Sequence, residues 1–414
     1  MTIARRLFIL SGLSAVAACG GGGSGTPTPS PAPAPTPTPT PPPTPPPTAA
    51  FPSYNTSPLP ADATGMSGTA VAIAGRIQAG WNIGNTLEAI GGETAWGNPQ
   101  ISRAYVDFVK AAGFDAIRLP ASWDQYANQA TAKIQTAWLN RIKAVVQYCV
   151  DAGLYVILNI HWDGGWLENN VTPTAQDAVT AKQKAFWEQI ATHLRDFDEH
   201  LMFASANEPN CDTAAQMEVL YAYHQTFIDA VRSTGGKNAY RVLVLQAPNT
   251  NTGLAETLWT RMPTDTVPNR LMVEVHYYEP FQFTQLQEDA SWGRMFYYWG
   301  RDNHSTTDTT RNADWGEEDF VDEHMALAKR LFTDQGIPVV LGEYDASVRT
   351  NLTGDDAALN LRSCTYWMKY VTEKARAAGL LPFVWDTGSA IDRGSLTITQ
   401  DWKIDAVLEA VGKT

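Results

Sequence analysis

The chain has 414 residues, and 43 acidic against 30 basic side chains give it a formal net charge of −13. An acidic chain is poorly suited to neutralising phosphates, so we expect no nucleic-acid partner. Hydrophobic residues make up 44% of the sequence, which is enough for a large core. The 14 tryptophans serve either that core or flat binding surfaces.

The first 19 residues have the pattern of an export signal. A pair of arginines precedes an apolar run over residues 7–18, which is too short to span a bilayer as a permanent helix. The ending at 16–19 (Val-Ala-Ala-Cys) resembles a bacterial lipoprotein signal, in which Cys19 is lipidated. An ordinary cleaved signal is the alternative, and residues 5–9 also resemble a twin-arginine signal. We therefore expect an exported protein, secreted or held at the outer membrane or cell surface only through lipid on Cys19.

Residues 20–50 are predicted to be a disordered linker. A glycine-rich run is followed by a Pro/Thr tract over residues 26–48, which holds 13 of the 26 prolines. Proline removes backbone donors, so neither a helix nor a central strand can form there. One folded domain is predicted over residues 51–414.

Three cysteines lie within that domain, at Cys149, Cys211 and Cys364. Three thiols can form at most one disulfide, and their spacing matches no zinc pattern. We expect them to be buried as small apolar side chains.

Apolar runs of strand length alternate with amphipathic stretches along the domain, and some are continuously apolar, as in strands buried on both faces. Strands are predicted over Gly80–Gly84, Phe114–Pro120, Tyr155–Ile160, Leu201–Ser205, Arg241–Leu245, Leu271–Val275, Pro338–Leu341 and Leu381–Trp385. Helices are predicted over Ala137–Ala152, Thr180–Asp198, Ala214–Thr234, Phe320–Gln335 and Ala357–Gly379. This α/β alternation favours a (β/α)8 TIM barrel. An open doubly wound sheet is the alternative, but no Gly-x-Gly-x-x-Gly follows the first strand.

In such a barrel the chemistry lies at the carboxyl ends of the strands. Polar or aromatic side chains stand at six of the predicted strand ends: Arg118, His161, Asn207, Glu208, His276, Tyr278, Glu343 and Trp385. Because these ends share one rim of the barrel, we expect the side chains to converge on a single site.

Glu208 and Glu343 follow the fourth and seventh strands, on opposing sides of the predicted mouth. Two carboxylates about 5–5.5 Å apart suit a retaining glycosidase, in which one attacks the sugar and the other protonates the leaving oxygen. Taken singly, Glu208 could be a solvated loop acid and Glu343 a salt-bridge partner of Arg118. A nucleophilic carboxylate must stay ionised, and the positive charge of Arg118 would favour its charged form. Asn207 can hydrogen-bond a sugar hydroxyl, and Tyr278 can donate to an oxygen of the nucleophile. Trp385 can stack under a sugar ring.

Six short blocks resemble, in order, those of glycoside hydrolase family 5: Gly80–Glu88, Arg118–Pro120, Asn159–Trp162, Asn207–Pro209, His276–Tyr278 and Gly342–Tyr344. The resemblance covers residues 75–390 and implies a retaining, endo-acting hydrolase with Glu208 as acid/base and Glu343 as nucleophile. It also implies supporting roles for Arg118, His161, Asn207, His276, Tyr278 and Trp385. The segment Glu93–Gly97 resembles the family's cellulases and xyloglucanases more than its mannanases.

Further tryptophans are candidate platforms for sugar rings: Trp96, Trp123, Trp162, Trp166 and Trp292. Trp292 belongs to the segment 281–315, which is longer than a plain barrel loop needs and rich in aromatic residues. This segment is either a wall of sugar-stacking subsites or a local core. We favour the local core, because so many aromatic side chains cannot all be exposed.

His161, Asp163 and His276 are also a two-histidine, one-carboxylate set of the kind that binds transition metals. We do not favour this interpretation, because the glycosidase pattern already accounts for these residues. We therefore expect neither a metal nor a cofactor.

The sequence predicts a monomeric endo-β-1,4-glucanase whose partner is a polysaccharide, cellulose-like or mixed-linkage β-glucan. A xyloglucanase, mannanase or xylanase with the same chemistry is the first alternative. A non-catalytic, glycan-binding surface lipoprotein is the second, and it is disfavoured because both glutamates and their neighbours are present. Residues 20–50 are too short and too rich in proline to form a separate carbohydrate-binding module.

Overall fold

The computed structural model describes residues 51–413, so the predicted signal, linker and lipidation site lie outside the described residues. Eight parallel strands form a closed barrel, each paired with the next along the chain and the eighth with the first. They are β1 Gly80–Asn82, β2 Ala116–Leu119, β3 Tyr155–Asn159, β4 Leu201–Ala204, β5 Leu243–Gln246, β6 Leu271–His276, β7 Val339–Tyr344 and β8 Leu380–Val384. The predicted (β/α)8 barrel is confirmed.

Each barrel strand is followed by a helix on the outside. The helices are α1 Ala70–Ala74, α2 Arg103–Ala111, α3 Thr136–Asp151, α4 Gln176–Leu194, α5 Ala214–Ser233, α6 Thr252–Leu258, α7 Phe281–Thr284, α8 Glu318–Leu331, α9 Gly354–Ala377 and α10 Asp401–Ala410. The five predicted helices are α3, α4, α5, α8 and α9. The helices after β1, β5 and β8 were not predicted from the sequence, because each has at most ten residues and a short apolar face.

Alternate side chains of the strands fill the barrel interior. Ile157, Met202 and Val244 are fully buried there, in one cluster with Ile73 of α1. Thr69 begins α1 by accepting a hydrogen bond on Oγ1 from the Ala72 amide, at 3.2 Å. Because α1 precedes β1, it packs at the amino-terminal end of the barrel and leaves the carboxyl-terminal rim for the site.

The sixth and seventh strands extend further than predicted. β6 reaches His276 and β7 reaches Tyr344, and His276 lies opposite Glu343 in the strand pairing. The backbone ladder therefore holds both side chains, which gives them a more fixed position than a loop would.

Cys149, Cys211 and Cys364 are buried and not joined in disulfides, which confirms the prediction. Burial raises the pKa of Cys211 and of Cys364 to about 12. None of the helices within residues 51–413 has the length and apolar character needed to cross a bilayer.

The segment 281–315 forms a local core, as favoured from the sequence. Five of its aromatic side chains are buried: Phe283, Phe296, Tyr297, Tyr298 and Trp299. The Arg349 guanidinium fixes the segment by donating to the carbonyls of Leu286 at 2.6 Å and Phe283 at 2.7 Å. Trp315 is partly buried, and Phe281 and Trp292 are exposed, with 44% and 51% of their surface accessible.

Candidate active site

Arg118 on β2 is the fully buried cation around which the site is assembled. Its Nη1 donates to Glu343 Oε1 at 2.9 Å and to Asn82 Oδ1 at 3.0 Å. Its Nη2 donates to Asn207 Oδ1 at 2.7 Å, and its Nε lies 2.8 Å from Glu274 Oε1. One rigid guanidinium thus ties together residues of four barrel strands or the loops that follow them.

Both carboxylate oxygens of Glu343 are engaged. Arg118 donates to Oε1, and the Tyr278 hydroxyl donates to Oε2 at 3.0 Å. Burial raises the pKa of Glu343 above its usual value, while the charges of His276 and Arg118 oppose that shift. A buried carboxylate held at both oxygens is oriented for attack on an electrophilic carbon.

His276 connects Glu208 with a second buried carboxylate. Its Nδ1 lies 2.8 Å from Glu208 Oε1 and its Nε2 lies 3.1 Å from Glu274 Oε1. Burial lowers the pKa of His276, but Glu343, Glu208 and Glu274 outweigh it and raise the pKa to about 10. The imidazole is therefore a cation that donates from both nitrogens. The Glu208 side chain is 46% exposed and reaches the open rim.

Glu208, His276 and Glu343 each bring one ligand-type atom within 4.8 Å of the others. This separation of the two carboxylates is close to that of retaining glycosidases and shorter than the roughly 6.5–9.5 Å of inverting ones. Each nitrogen of His276 already faces a carboxylate oxygen, of Glu208 at 2.8 Å and of Glu274 at 3.1 Å, which suits proton chemistry better than metal binding.

Four polar residues of the site were not predicted from the sequence: Asn82, Glu168, Gln246 and Glu274. Glu168, in the loop after β3, accepts on Oε1 from the amides of Asn207 at 3.1 Å and Glu208 at 2.8 Å. It thereby fixes the backbone that carries Glu208. Burial raises the pKa of Glu168 to about 8. Gln246 and Glu274 were detectable as isolated polar residues within apolar strand runs.

A cleft of about 160 Å³ adjoins these groups, lined by Asn85, Glu88, Trp96, His161, Trp162 and Trp385. Trp96 and Trp162 are 45% and 44% exposed, respectively. Trp385 lies parallel to His161, with ring centroids 5.7 Å apart. Gly84 makes room for Trp385, since an added Cβ would lie 2.7 Å from its ring. The cleft therefore offers flat apolar surfaces of the kind on which sugar rings stack.

Trp162 is presented by an unusual turn. Its φ is +31° and that of Asp163 is +53°, a left-handed conformation rare for residues other than glycine. The buried Asp163 carboxylate stabilises this turn by accepting from the Trp123 amide and from Trp166 Nε1, both at 2.9 Å. Burial raises the pKa of Asp163 to about 7. The contacts of Asp163 thus stabilise the turn. Its carboxylate does not form a metal-binding cluster with His161 and His276.

One of the predicted platforms is wrong. Trp123 is fully buried, and its Nε1 donates to the Asn159 carbonyl at 3.0 Å, so neither face can meet a ligand. Trp166 is half-buried with the Lys182 ammonium 4.8 Å from its ring centre, and its role as a platform stays a prediction. Trp292 is exposed beside Phe281, with ring centroids 6.0 Å apart, and its role as a platform stays a prediction.

Comparison with known proteins agrees with this geometry. Residues 82–390 match the family described as cellulase (glycosyl hydrolase family 5). The chain is similar to a xyloglucan-specific endo-β-1,4-glucanase of Bacteroides ovatus, at 37% identity over 81% of this chain and 68% of the relative. It is also similar to endoglucanase A of Paenibacillus barcinonensis, at 34% identity over 88% of this chain and 95% of the relative.

Superposition on a solved structure supports the same family. The Bacteroides ovatus GH5 xyloglucanase in complex with a XXXG heptasaccharide superposes with a TM-score of 0.81 at 32% identity, over 88% of this chain and 81% of that one. The family match spans most of the chain and includes both glutamates of the site. The protein therefore belongs to glycosyl hydrolase family 5 and is a retaining glycoside hydrolase.

Proposed function

We propose that the protein is an endo-β-1,4-glucanase, with Glu343 as nucleophile and Glu208 as general acid/base. The observation that carries this proposal is the pair of carboxylates within 4.8 Å, one buried against Arg118 and Tyr278 and the other at the open rim. This asymmetry suits the two roles. A nucleophile needs a fixed orientation, whereas an acid/base must exchange its proton with the substrate and with water.

The reaction proceeds by two displacements. In the first, the Glu343 carboxylate bonds to the anomeric carbon while the glycosidic C–O bond breaks and Glu208 gives its proton to the leaving oxygen. In the second, Glu208 takes a proton from water, and the water oxygen displaces Glu343 from the anomeric carbon. Two inversions at one carbon retain its configuration. Trp385 stacks against the sugar ring. Asn207 holds the sugar by a hydrogen bond, and the Tyr278 hydroxyl holds the nucleophile by donating to Glu343 Oε2.

A β-1,4-glucan backbone is the proposed substrate, either unbranched or mixed-linkage. The exposed rings of Trp96 and Trp162 lie along the cleft beside Trp385, as an extended chain of sugar rings requires. Preference for xyloglucan is the second candidate, favoured by the relative named a xyloglucan-specific endo-β-1,4-glucanase. Both candidates share the same backbone and differ in whether side-chain sugars are accepted.

Release of reducing ends from five substrates, measured side by side, tests the proposal: carboxymethylcellulose, barley β-glucan, xyloglucan, glucomannan and xylan. We expect activity on the glucans, and the fastest release identifies which of the two candidates holds. Early product analysed by NMR should keep the anomeric configuration. Folded enzyme that is inactive on the first three substrates would contradict the proposal, and inactivity on all five would support a non-catalytic glycan-binding protein.

We also propose that the protein is exported, attached to a membrane through lipid on Cys19, and monomeric. The signal-like pattern of residues 1–19 supports the first two statements. Labelling of cells with radioactive fatty acid should tag the wild-type protein and not the Cys19→Ala variant. Unlabelled wild-type protein would instead indicate an ordinary cleaved signal. Light scattering of the purified protein gives the oligomeric state.

A further inference from the structure

Glu274 is a fully buried carboxylate in the interior of β6. Its Oε1 lies 2.8 Å from Arg118 Nε and 3.1 Å from His276 Nε2. Its Oε2 accepts from Gln246 Nε2 at 2.8 Å. It therefore contacts the cation that orients Glu343 and the cation that contacts Glu208. A carboxylate that is buried away from water is stable in its charged form only when such cations and hydrogen-bond donors contact it.

The neighbouring strands are shaped to accommodate this side chain. On β7, an added Cβ at Gly342 would overlap the Glu274 carboxylate, so the residue before Glu343 leaves the room that Glu274 fills. On β5, Gln246 Oε1 accepts from the Ala206 amide at 2.8 Å, next to Asn207 and Glu208. Glu274 thus packs against β7, which carries Glu343, and is connected through Gln246 to the loop after β4, which carries Glu208.

The charges at the site balance only when Glu274 is counted. We define the charge cluster as Arg118, Glu208, Glu274, His276 and Glu343. With Glu208 protonated, as its acid role requires, the two cations are matched by the anions of Glu274 and Glu343. Without Glu274 the same state carries one excess positive charge, which His276 or Glu208 can relieve by losing a proton.

The charged and titratable groups around His276 come from five barrel strands or the loops that follow them. Glu208 lies beyond β4, Glu343 on β7 and Arg118 on β2, while Glu274 shares β6. His161, just beyond β3, is buried close enough for the His276 charge to act on it, and burial with the charges of Arg118 and His276 lowers its pKa. His161 therefore adds no positive charge to the cluster.

We propose that Glu274 is a positioning residue for the glycosidase reaction, holding His276 doubly protonated so that Nδ1–H donates to Glu208 while Arg118 is held toward Glu343. This proposal rests on the acid/base role of Glu208 given above. Glu274 itself touches neither the sugar nor the reacting atoms. It acts through the two cations, and its negative charge keeps the cluster neutral in the state that protonates the leaving oxygen.

The first test observes His276 directly and does not depend on activity. NMR spectra of the full-length protein with ¹⁵N-labelled histidine should show both ring nitrogens of His276 protonated from pH 6 to pH 9, with the His276→Gln spectrum assigning the signals. In Glu274→Gln the loss of that proton should move to lower pH by about one unit or more, because one buried charge about 3 Å away is removed. A neutral His276 in the wild type at pH 7 would overturn the proposal, and so would an unchanged titration in the variant.

The second test is the pH profile of kcat/KM on barley β-glucan. The alkaline limb of Glu274→Gln should move to lower pH by about one unit or more, with activity at pH 7 reduced roughly tenfold or more. The control is Glu199→Gln, since Glu199 is also buried and paired with an arginine, Arg76 at 2.6 Å, but just before β4 at the other end of the barrel. It should leave the profile unchanged.

These readouts separate the proposal from the proposed function. Coincident profiles of wild type and Glu274→Gln would contradict the role of Glu274 even if the enzyme is a glucanase. If the wild type hydrolyses no glucan, the histidine spectra still decide whether Glu274 holds the imidazolium. If Glu274→Gln does not fold, the wild-type spectra between pH 6 and pH 9 still test the proposal, because a neutral His276 would overturn it.

Discussion

Single residues of the site differ in how their side chains are held. Glu343 has a donor on each oxygen and is buried, whereas Glu208 contacts His276 and remains half exposed. The strand-end pattern predicted both glutamates, because a polar residue after an apolar strand is readily detected. It did not predict Glu274, because that residue lies inside β6 and not at its end.

Glu343→Gln should lower kcat by roughly a thousandfold or more, because an amide cannot form the covalent bond to the anomeric carbon. Binding of a cello-oligosaccharide should persist within about threefold, since the amide keeps the size of the side chain and can still accept from Arg118. Reducing-end assays and calorimetry measure the two quantities. A variant that keeps more than a few per cent of activity would rule out Glu343 as the nucleophile.

Glu168 predicts a pH dependence of stability. Its pKa is raised from 4.5 to about 8 by burial, so the folded protein binds a proton that the unfolded chain releases between these values. Stability from this group is therefore complete below pH 4.5 and decreases as the pH rises toward 8. Glu168→Gln keeps an acceptor for the Asn207 and Glu208 amides but cannot titrate.

We expect the melting temperature of Glu168→Gln, relative to the wild type, to rise by roughly 3–8 °C between pH 5 and pH 8. Thermal unfolding at the two pH values measures this difference. An equal pH dependence in both proteins would show that Glu168 is ionised throughout.

Among the elements, the segment between β6 and α8 shows why composition alone left two interpretations open. Its aromatic residues were visible in the sequence, but their division into a buried set and an exposed pair was not. Burial depends on contacts with α9, where Asn360 Nδ2 donates to the Tyr297 carbonyl at 2.7 Å, and with Arg349 in the loop before it. These contacts join residues more than fifty positions apart.

Trp299 and Trp292 form a matched pair for testing this division. Trp299 is fully buried, and its Nε1 donates to the Gly316 carbonyl at 2.8 Å. Trp299→Ala should therefore lower the free energy of unfolding by about 3–5 kcal/mol. Trp292→Ala should change it by less than about 1 kcal/mol, because half of that side chain is already exposed. Urea unfolding compares them, and similar losses in both would contradict a local core.

For the whole molecule, closure of the barrel at its amino-terminal end depends on residues before β1. Met66, Ile73 and Ile77 are buried, and Arg270 Nη2 donates to the Met66 carbonyl at 2.9 Å. This part of the chain adds no strand to the barrel, so a pattern of strands and helices does not reveal that it is needed.

A chain that begins at residue 78 should unfold at a clearly lower urea concentration than one that begins at residue 51. The shorter chain lacks three fully buried apolar side chains, each worth about 1.5–3 kcal/mol. Circular dichroism and fluorescence measure both transitions. Coincident transitions would show that residues 51–77 are dispensable for folding.

Strand periodicity and strand-end chemistry are local properties of the chain, so the barrel, its eight strands and eight candidate site residues could be predicted from the sequence. Which tryptophans line the cleft, which carboxylates share the cations and where the insertion packs could be seen only in the folded barrel. Trp123 and Trp162 lie in equivalent loops, yet one is fully buried and the other 44% exposed. Exposure and charge balance depend on neighbours distant in sequence, and these become neighbours only when the barrel closes.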